Sequence, residues 1–275
     1  MKTLLFLACC GCPLLSAAEA AFKQVRVGKA VISLPANWTA LGPQIPVWLH
    51  LHGAPATVES AFTALGAPGV LVNVTLPGLS KVYADHFADP LVFTELLRDT
   101  EAVLRRESAA AAWTLGPLTV SSFSAGFGGV RQLLRQPEAF ERIAVLVMAD
   151  SIYCGYEGKV ADKRVDPTLM EGFLRFARLA SEGRRRMLIT HTQQVPEGYA
   201  STTETADYLV AEIGGARVGV AKDWAPALRQ LSAVSRGGLE IVGFAGARPE
   251  DHMQHLRSLG LFWERARSPA APGSE

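Results

Sequence analysis

From residue 43 to residue 267, short apolar runs alternate with stretches whose apolar positions recur at helical spacing. Residues 46–51, 70–74, 118–122, 143–149, 187–190 and 239–244 read as strands. The run Ile143-Ala144-Val145-Leu146-Val147-Met148-Ala149 carries no polar residue, as suits a strand covered on both faces of a parallel sheet. Residues 22–34 read as one or two antiparallel strands ending at Pro35. Between the strands lie helical patterns at 57–65, 128–136 and 201–214. Asp89-Pro90 and Asp166-Pro167 each open a further helix, with aspartate as N-cap and proline in the first turn. A closing helix runs from about 251 towards 267 and breaks near Gly260. This rhythm predicts an α/β fold with a doubly wound, mostly parallel sheet. Sites in such sheets gather beyond the carboxyl ends of the strands, which singles out Gly53, Ser124, Asp150, His191 and His252.

Ser124 lies in Ser122-Phe123-Ser124-Ala125-Gly126, where a strand gives way to a helix. A small residue two before a serine and a glycine two after it meet the steric demand of a nucleophile elbow, a tight turn that presents the hydroxyl at the sheet edge. A serine hydroxyl needs a base to take its proton, and the base needs a third group to fix its tautomer. His252, just past the last strand, is the candidate base, with His255 as its understudy; Asp150 is the candidate acid, with Glu197 as its rival. Glu204 falls in Ser201-Thr202-Thr203-Glu204, a capping-box pattern that explains it structurally. An oxyanion formed on Ser124 needs two donors. The backbone N–H of Ala125 is one, and the turn His52-Gly53-Ala54 supplies the other.

The elbow, the His52-Gly53 turn after an early strand, and the chain order Ser124, Asp150, His252 resemble the α/β-hydrolase superfamily over roughly residues 31–267. The resemblance implies a central, mainly parallel eight-stranded sheet and a Ser-His-acid triad without a cofactor. Two features depart from the usual pattern. Ser122 replaces the more common glycine of the elbow, and no aspartate stands at 191–197, where most members carry the acid. Some members use the earlier strand end, where Asp150 lies. The implied function is a serine hydrolase acting on an ester, thioester or amide; the alternatives are a non-catalytic binding protein of the same fold and a metal-dependent hydrolase.

Other patterns narrow the field. His50-Leu51-His52 and Asp251-His252-Met253-Gln254-His255 each offer two metal-ligand positions, but neither completes a zinc motif, so no metal is expected. Gly126-Phe127-Gly128-Gly129 lacks the lysine of a phosphate loop. The segment 151–184, with Tyr153, Cys154 and Tyr156, and the loop 80–89, with Tyr83, His86 and Phe87, are placed to cover part of the site.

Composition adds bounds. With 275 residues, 49% of them hydrophobic, one domain over 21–267 is expected, followed by a frayed tail at 268–275. A net charge of +1 and the lack of a basic stripe argue against a nucleic-acid partner; Arg184-Arg185-Arg186 reads as a solvated helix end. Residues 1–20 read as a signal peptide cleaved near Ala20, which implies export to the periplasm or beyond; a lipid anchor at Cys10 or Cys12 is the rival reading. No later stretch is long and apolar enough to span a membrane. Only Cys154 would survive cleavage. The expected partner is a small-molecule or polymer-derived acyl substrate, and oligomeric state is not legible.

Overall fold

The computed structural model describes residues 22–36, 38, 42–108, 113–268. The leader, its three cysteines and most of the tail lie outside the described residues. Ten strands form one sheet: β1 (Lys23–Val27), β2 (Ala30–Leu34), β3 (Gln44–Leu51), β4 (Val70–Val74), β5 (Thr114–Phe123), β6 (Ile143–Ala149), β7 (Arg186–His191), β8 (Val218–Ala225), β9 (Leu228–Arg236) and β10 (Leu239–Phe244). Their spatial order is β1-β2-β4-β3-β5-β6-β7-β10-β9-β8. The six strands from β4 to β10 in that order run parallel, and two antiparallel strands close each edge.

The expected eight strands are present, and the count rises to ten because β8 and β9 form a hairpin that extends the sheet beyond β10. Its outer strand is mostly exposed and carries Lys222 and Asp223, so it lacks the apolar run that marks the central strands. Trp224 and Leu228 anchor the hairpin; the indole stands edge-on to Phe244 at 5.4 Å.

The helices are α1 (Pro55–Leu65), α2 (Ser80–His86), α3 (Pro90–Glu107), α4 (Phe127–Arg135), α5 (Pro137–Arg142), α6 (Pro167–Ser181), α7 (Thr202–Glu212), α8 (Pro249–Arg257) and α9 (Leu259–Arg267). Side chains alternate across each strand. Val47, Leu49 and Leu51 of β3 join a core with α2 to α7, while Trp48 joins α1, α8 and α9 on the opposite face. β6 divides in the same way, with Leu146 and Met148 on the first face and Val147 and Ala149 on the second. Burial on both faces is the physical reason for its unbroken apolar sequence.

The caps fall where their residues predict. The Asp89 carboxylate accepts from Leu91 N at 2.9 Å, and that of Asp166 from Thr168 N at 2.8 Å. Ser201 and Glu204 form a reciprocal capping box on α7. Each such cap stabilises its helix by about 1 kcal/mol. The arginine run differs from its expectation. Arg185 donates to the carbonyls of Glu141 and Ile143, and Arg186 to that of Ala266, so these two side chains pin the start of β7 to neighbouring segments. Among the described residues, no helix is long and apolar enough to cross a membrane.

Candidate active site

β5 ends at Phe123, and the next residue, Ser124, has φ of 46°, in the left-handed region that a residue with a side chain enters at a cost of roughly 1–3 kcal/mol. Sterics explain the small residues around it. A Cβ on Gly126 would stand 2.2 Å from the Leu51 carbonyl oxygen and 2.9 Å from Ser122 Cβ. Ser122 does more than fit. The Ser151 hydroxyl donates to the Ser124 carbonyl at 2.9 Å, which leaves the Ser122 hydroxyl to donate to Ser151 Oγ at 2.7 Å. A strap of two hydroxyls thus ties the turn to the residue after Asp150.

Asp150 follows β6, with φ of 44° and no solvent exposure. Its carboxylate accepts four hydrogen bonds: from Thr192 N at 3.0 Å, Thr192 Oγ1 at 2.8 Å, Thr202 Oγ1 at 2.5 Å and His252 Nδ1 at 2.7 Å. Burial alone would raise its pKa. The hydrogen bond from His252, the nearby His255 and His252 rings and the Thr202 hydroxyl outweigh burial and hold the carboxyl well below the usual range. Asp150 is therefore an anion, and Nδ1 of His252 carries the proton between them. The Nε2 lone pair of His252 is left to accept a proton. Phe123 stacks on the His252 ring, with centroids 4.5 Å apart and planes at 27°, which limits the ring's tilt.

Ser124, Ala125 and His252 line one pocket of about 440 Å³. Its wall is aromatic: Phe127 lies 5.6 Å from Tyr153, and Tyr153 lies 5.8 Å from Tyr199. Arg131, Cys154 and Gln194 complete much of the lining. The segment after Asp150 contributes Tyr153, Cys154 and Gly155; of the other covering segment only Ser80 lines the pocket, beside the preceding Leu79. That second segment is mostly helix α2 rather than a loop, and Tyr83 and Phe87 are fully buried in the core instead of facing the pocket. Tyr83 accepts from Leu76 N at 2.8 Å, and its hydroxyl lies 3.0 Å from His52 Nδ1.

The other sequence candidates occupy distinct places. Gly53 has φ of 136°, and a Cβ there would meet Leu256 Cδ1 at 2.8 Å; the glycine makes room for α8 as it turns the chain. Ala54 is exposed at the start of α1, and neither residue is among those lining the pocket. His50 spends both nitrogens internally, on Ser121 Oγ at 2.8 Å and on the His52 carbonyl at 2.7 Å. His255 is fully buried, with Nδ1 2.8 Å from Thr190 Oγ1, and burial lowers its pKa to about 4. His191 sits beside Thr203 and Arg217, also lowered to about 4 by burial and by the Arg217 charge. Glu197 is exposed, whereas Glu204 accepts from Ser201 N at 2.8 Å and from the Tyr156 hydroxyl at 2.9 Å. Sequence alone does not mark Thr192, Thr202, Ser151 or Arg131 as site residues, because isolated polar residues announce nothing until tertiary contacts assemble them.

The central strand order, with one crossover between β3 and β4 and the elbow at the end of β5, settles the architecture. The fold is that of the α/β-hydrolases. No protein-family model matches the sequence, and a comparison with curated proteins gives no match. Solved structures are similar at low identity. A ferulic acid esterase is 11% identical with a TM-score of 0.47, over 90% of this chain and 97% of that one. The S-formylglutathione hydrolase FrmB of Staphylococcus aureus is 10% identical with a TM-score of 0.46, over 88% of this chain and 95% of that one. A glucuronoyl esterase from Solibacter usitatus is 12% identical with a TM-score of 0.40, over 87% and 77%. Likeness at this level assigns no chemistry to this α/β-hydrolase-fold chain, whose own residues carry the reading below.

Proposed function

We propose that this protein is an exported serine hydrolase that cleaves a carboxylic ester through an acyl-enzyme. The observation that carries the reading is the fully buried Asp150 carboxylate accepting from His252 Nδ1 at 2.7 Å, with His252 and Ser124 lining the same pocket. Ser124 is the nucleophile, His252 the base and Asp150 the group that orients it. His252 Nε2 takes the hydroxyl proton as Oγ bonds to the ester carbonyl carbon. The oxyanion is held by the N–H of Ala125, which lines the pocket; the turn at Gly53 and Ala54, outside that lining, is the sequence candidate for the second donor. The bond to the alcohol oxygen then breaks, and His252 returns its proton to that oxygen. Water repeats the sequence on the acyl-serine: His252 takes its proton, the acid departs, and Ser124 regains its hydrogen. The scheme needs no cofactor.

An ester is favoured over an amide because its leaving group is better, and a pocket of about 440 Å³ suits a small acyl or aromatic substrate. Export rests on the leader at 1–20, which lies outside the described residues. Rapid-mixing kinetics with 4-nitrophenyl butyrate test the reaction. A burst of nitrophenolate matching the enzyme concentration is expected, absent in Ser124→Ala. A folded wild type that releases nitrophenolate no faster than Ser124→Ala would refute the reading and leave a binding protein.

A further inference from the structure

Among the described residues, Arg131 is the one charged side chain lining the pocket other than the titratable His252, and no carboxylate shares the lining. It follows Ser124 by seven residues, within α4, and both line the same pocket. Its guanidinium is held in place: Nη2 donates to the Tyr153 carbonyl at 2.6 Å, and its centre stands 4.9 Å from the Phe127 ring centroid. Yet Nε is buried without a partner, and among the described residues the group forms no ion pair. Of the five N–H donors of an arginine, one has a protein acceptor here.

Among the described residues, none of the neighbouring groups pairs with it directly. Asp166 favours the cation from a distance but forms no ion pair with it; its Oδ1 accepts instead from Thr168 N and Thr168 Oγ1, at 2.8 and 2.7 Å. The Cys154 thiol is pushed up by burial and stays protonated, so it brings no negative charge. Arg135, one turn further along α4, adds positive potential. A guanidinium partly removed from water, with its Nε fully buried and no counter-ion paired to it, is held at some cost. A single hydrogen bond to Tyr153 could be made by an uncharged amide, so that bond alone does not account for an arginine.

We infer that Arg131 recognises an anionic group on the substrate, and that this pocket serves esters carrying a carboxylate several atoms from the scissile bond. The inference rests on the serine-hydrolase reading and narrows its substrate class. Arginine presents a planar pair of donors that match a carboxylate, and the Phe127-Tyr153-Tyr199 wall lines the same pocket.

Matched ester pairs test it on either side of the scissile bond. The acyl pair is mono-4-nitrophenyl glutarate against 4-nitrophenyl pentanoate. The alcohol pair is 4-carboxyphenyl butanoate against 4-carbamoylphenyl butanoate. At least one pair should show a kcat/KM preference for the carboxylate of about tenfold or more, carried mainly by KM. In Arg131→Gln that ratio should fall towards one, and Arg131→Lys, which keeps the charge and a donor for Tyr153, should retain part of it. No preference in either pair, or a preference that survives Arg131→Gln in a protein melting like wild type, overturns the inference. Calorimetric binding of 4-carboxyphenyl butanoate to Ser124→Ala separates the two readings. Saturable binding that Arg131→Gln removes supports the anion site even if turnover fails. Absence of binding by both 4-carboxyphenyl butanoate and mono-4-nitrophenyl glutarate, with hydrolysis of neutral esters by the wild type intact, rejects the anion site alone.

Discussion

His252 Nδ1 lies 2.7 Å from Asp150 Oδ2, joining residues 102 positions apart at a carboxylate that solvent does not reach. The bond fixes the tautomer and orientation of the imidazole. In Asp150→Asn, turnover should fall by up to about ten-thousand-fold with little change in fold, because an amide of the same shape cannot stabilise the imidazolium. Glu197→Gln should leave kcat within about twofold. The opposite pattern in steady-state kinetics would move the acid to Glu197.

Acid should destabilise the folded protein early. Burial lowers His50 to about 3, and lowers His191 and His255 to about 4, against about 6.5 in an unfolded chain. Above pH 6.5 these rings are neutral in both states, so their full contribution is present. Below it, only the unfolded chain binds protons readily, and stability is lost as pH falls towards the folded values. Each proton contributes about 1.4 kcal/mol per pH unit. Asp150 adds to the loss at lower pH, since its depressed carboxyl stabilises the fold above about pH 4 and ceases to do so as it protonates. Calorimetric melting should show Tm falling from pH 7 to 5, with uptake of about two to three protons on unfolding near pH 5. His255→Gln should reduce that uptake by about one proton; a Tm constant across the interval would contradict the assignment of neutral buried rings.

The hydroxyl strap predicts a functional effect larger than its structural one. Ser151→Ala leaves the Ser124 carbonyl without its 2.9 Å donor and Ser122 without its 2.7 Å partner. The fold should lose about 1–2 kcal/mol, read by urea unfolding. If the strap sets how Ser124 is presented, kcat should fall while KM stays near wild type. Reduced stability with unchanged kcat would make the strap a packing device only.

The parallel strands and the elbow were legible because their physics is local. Strands buried on both faces must be apolar throughout, as β6 is, and a glycine is required where its Cβ would enter the Leu51 carbonyl. The candidates at strand ends followed from topology, and the structure brings Ser124 and His252 to one pocket and Asp150 to His252. The hairpin of β8 and β9 was not legible: its outer strand is mostly exposed at a sheet edge and mixes Lys222 and Asp223 with Val218 and Trp224. Helix α2, at seven residues, is too short to show a period. Thr192 and Thr202 serve Asp150 from two separate segments, and Arg131 gains its meaning only where Phe127 and Tyr153 meet it. None of these pairings has a spacing that a sequence displays.

Labelling with a fluorophosphonate, followed by peptide mass mapping, tests the central claim most directly. The account predicts one phosphonyl adduct, on the peptide containing Ser124, lost in Ser124→Ala and strongly slowed in His252→Ala. A folded protein that takes up no label, or one whose label persists in Ser124→Ala, would contradict it.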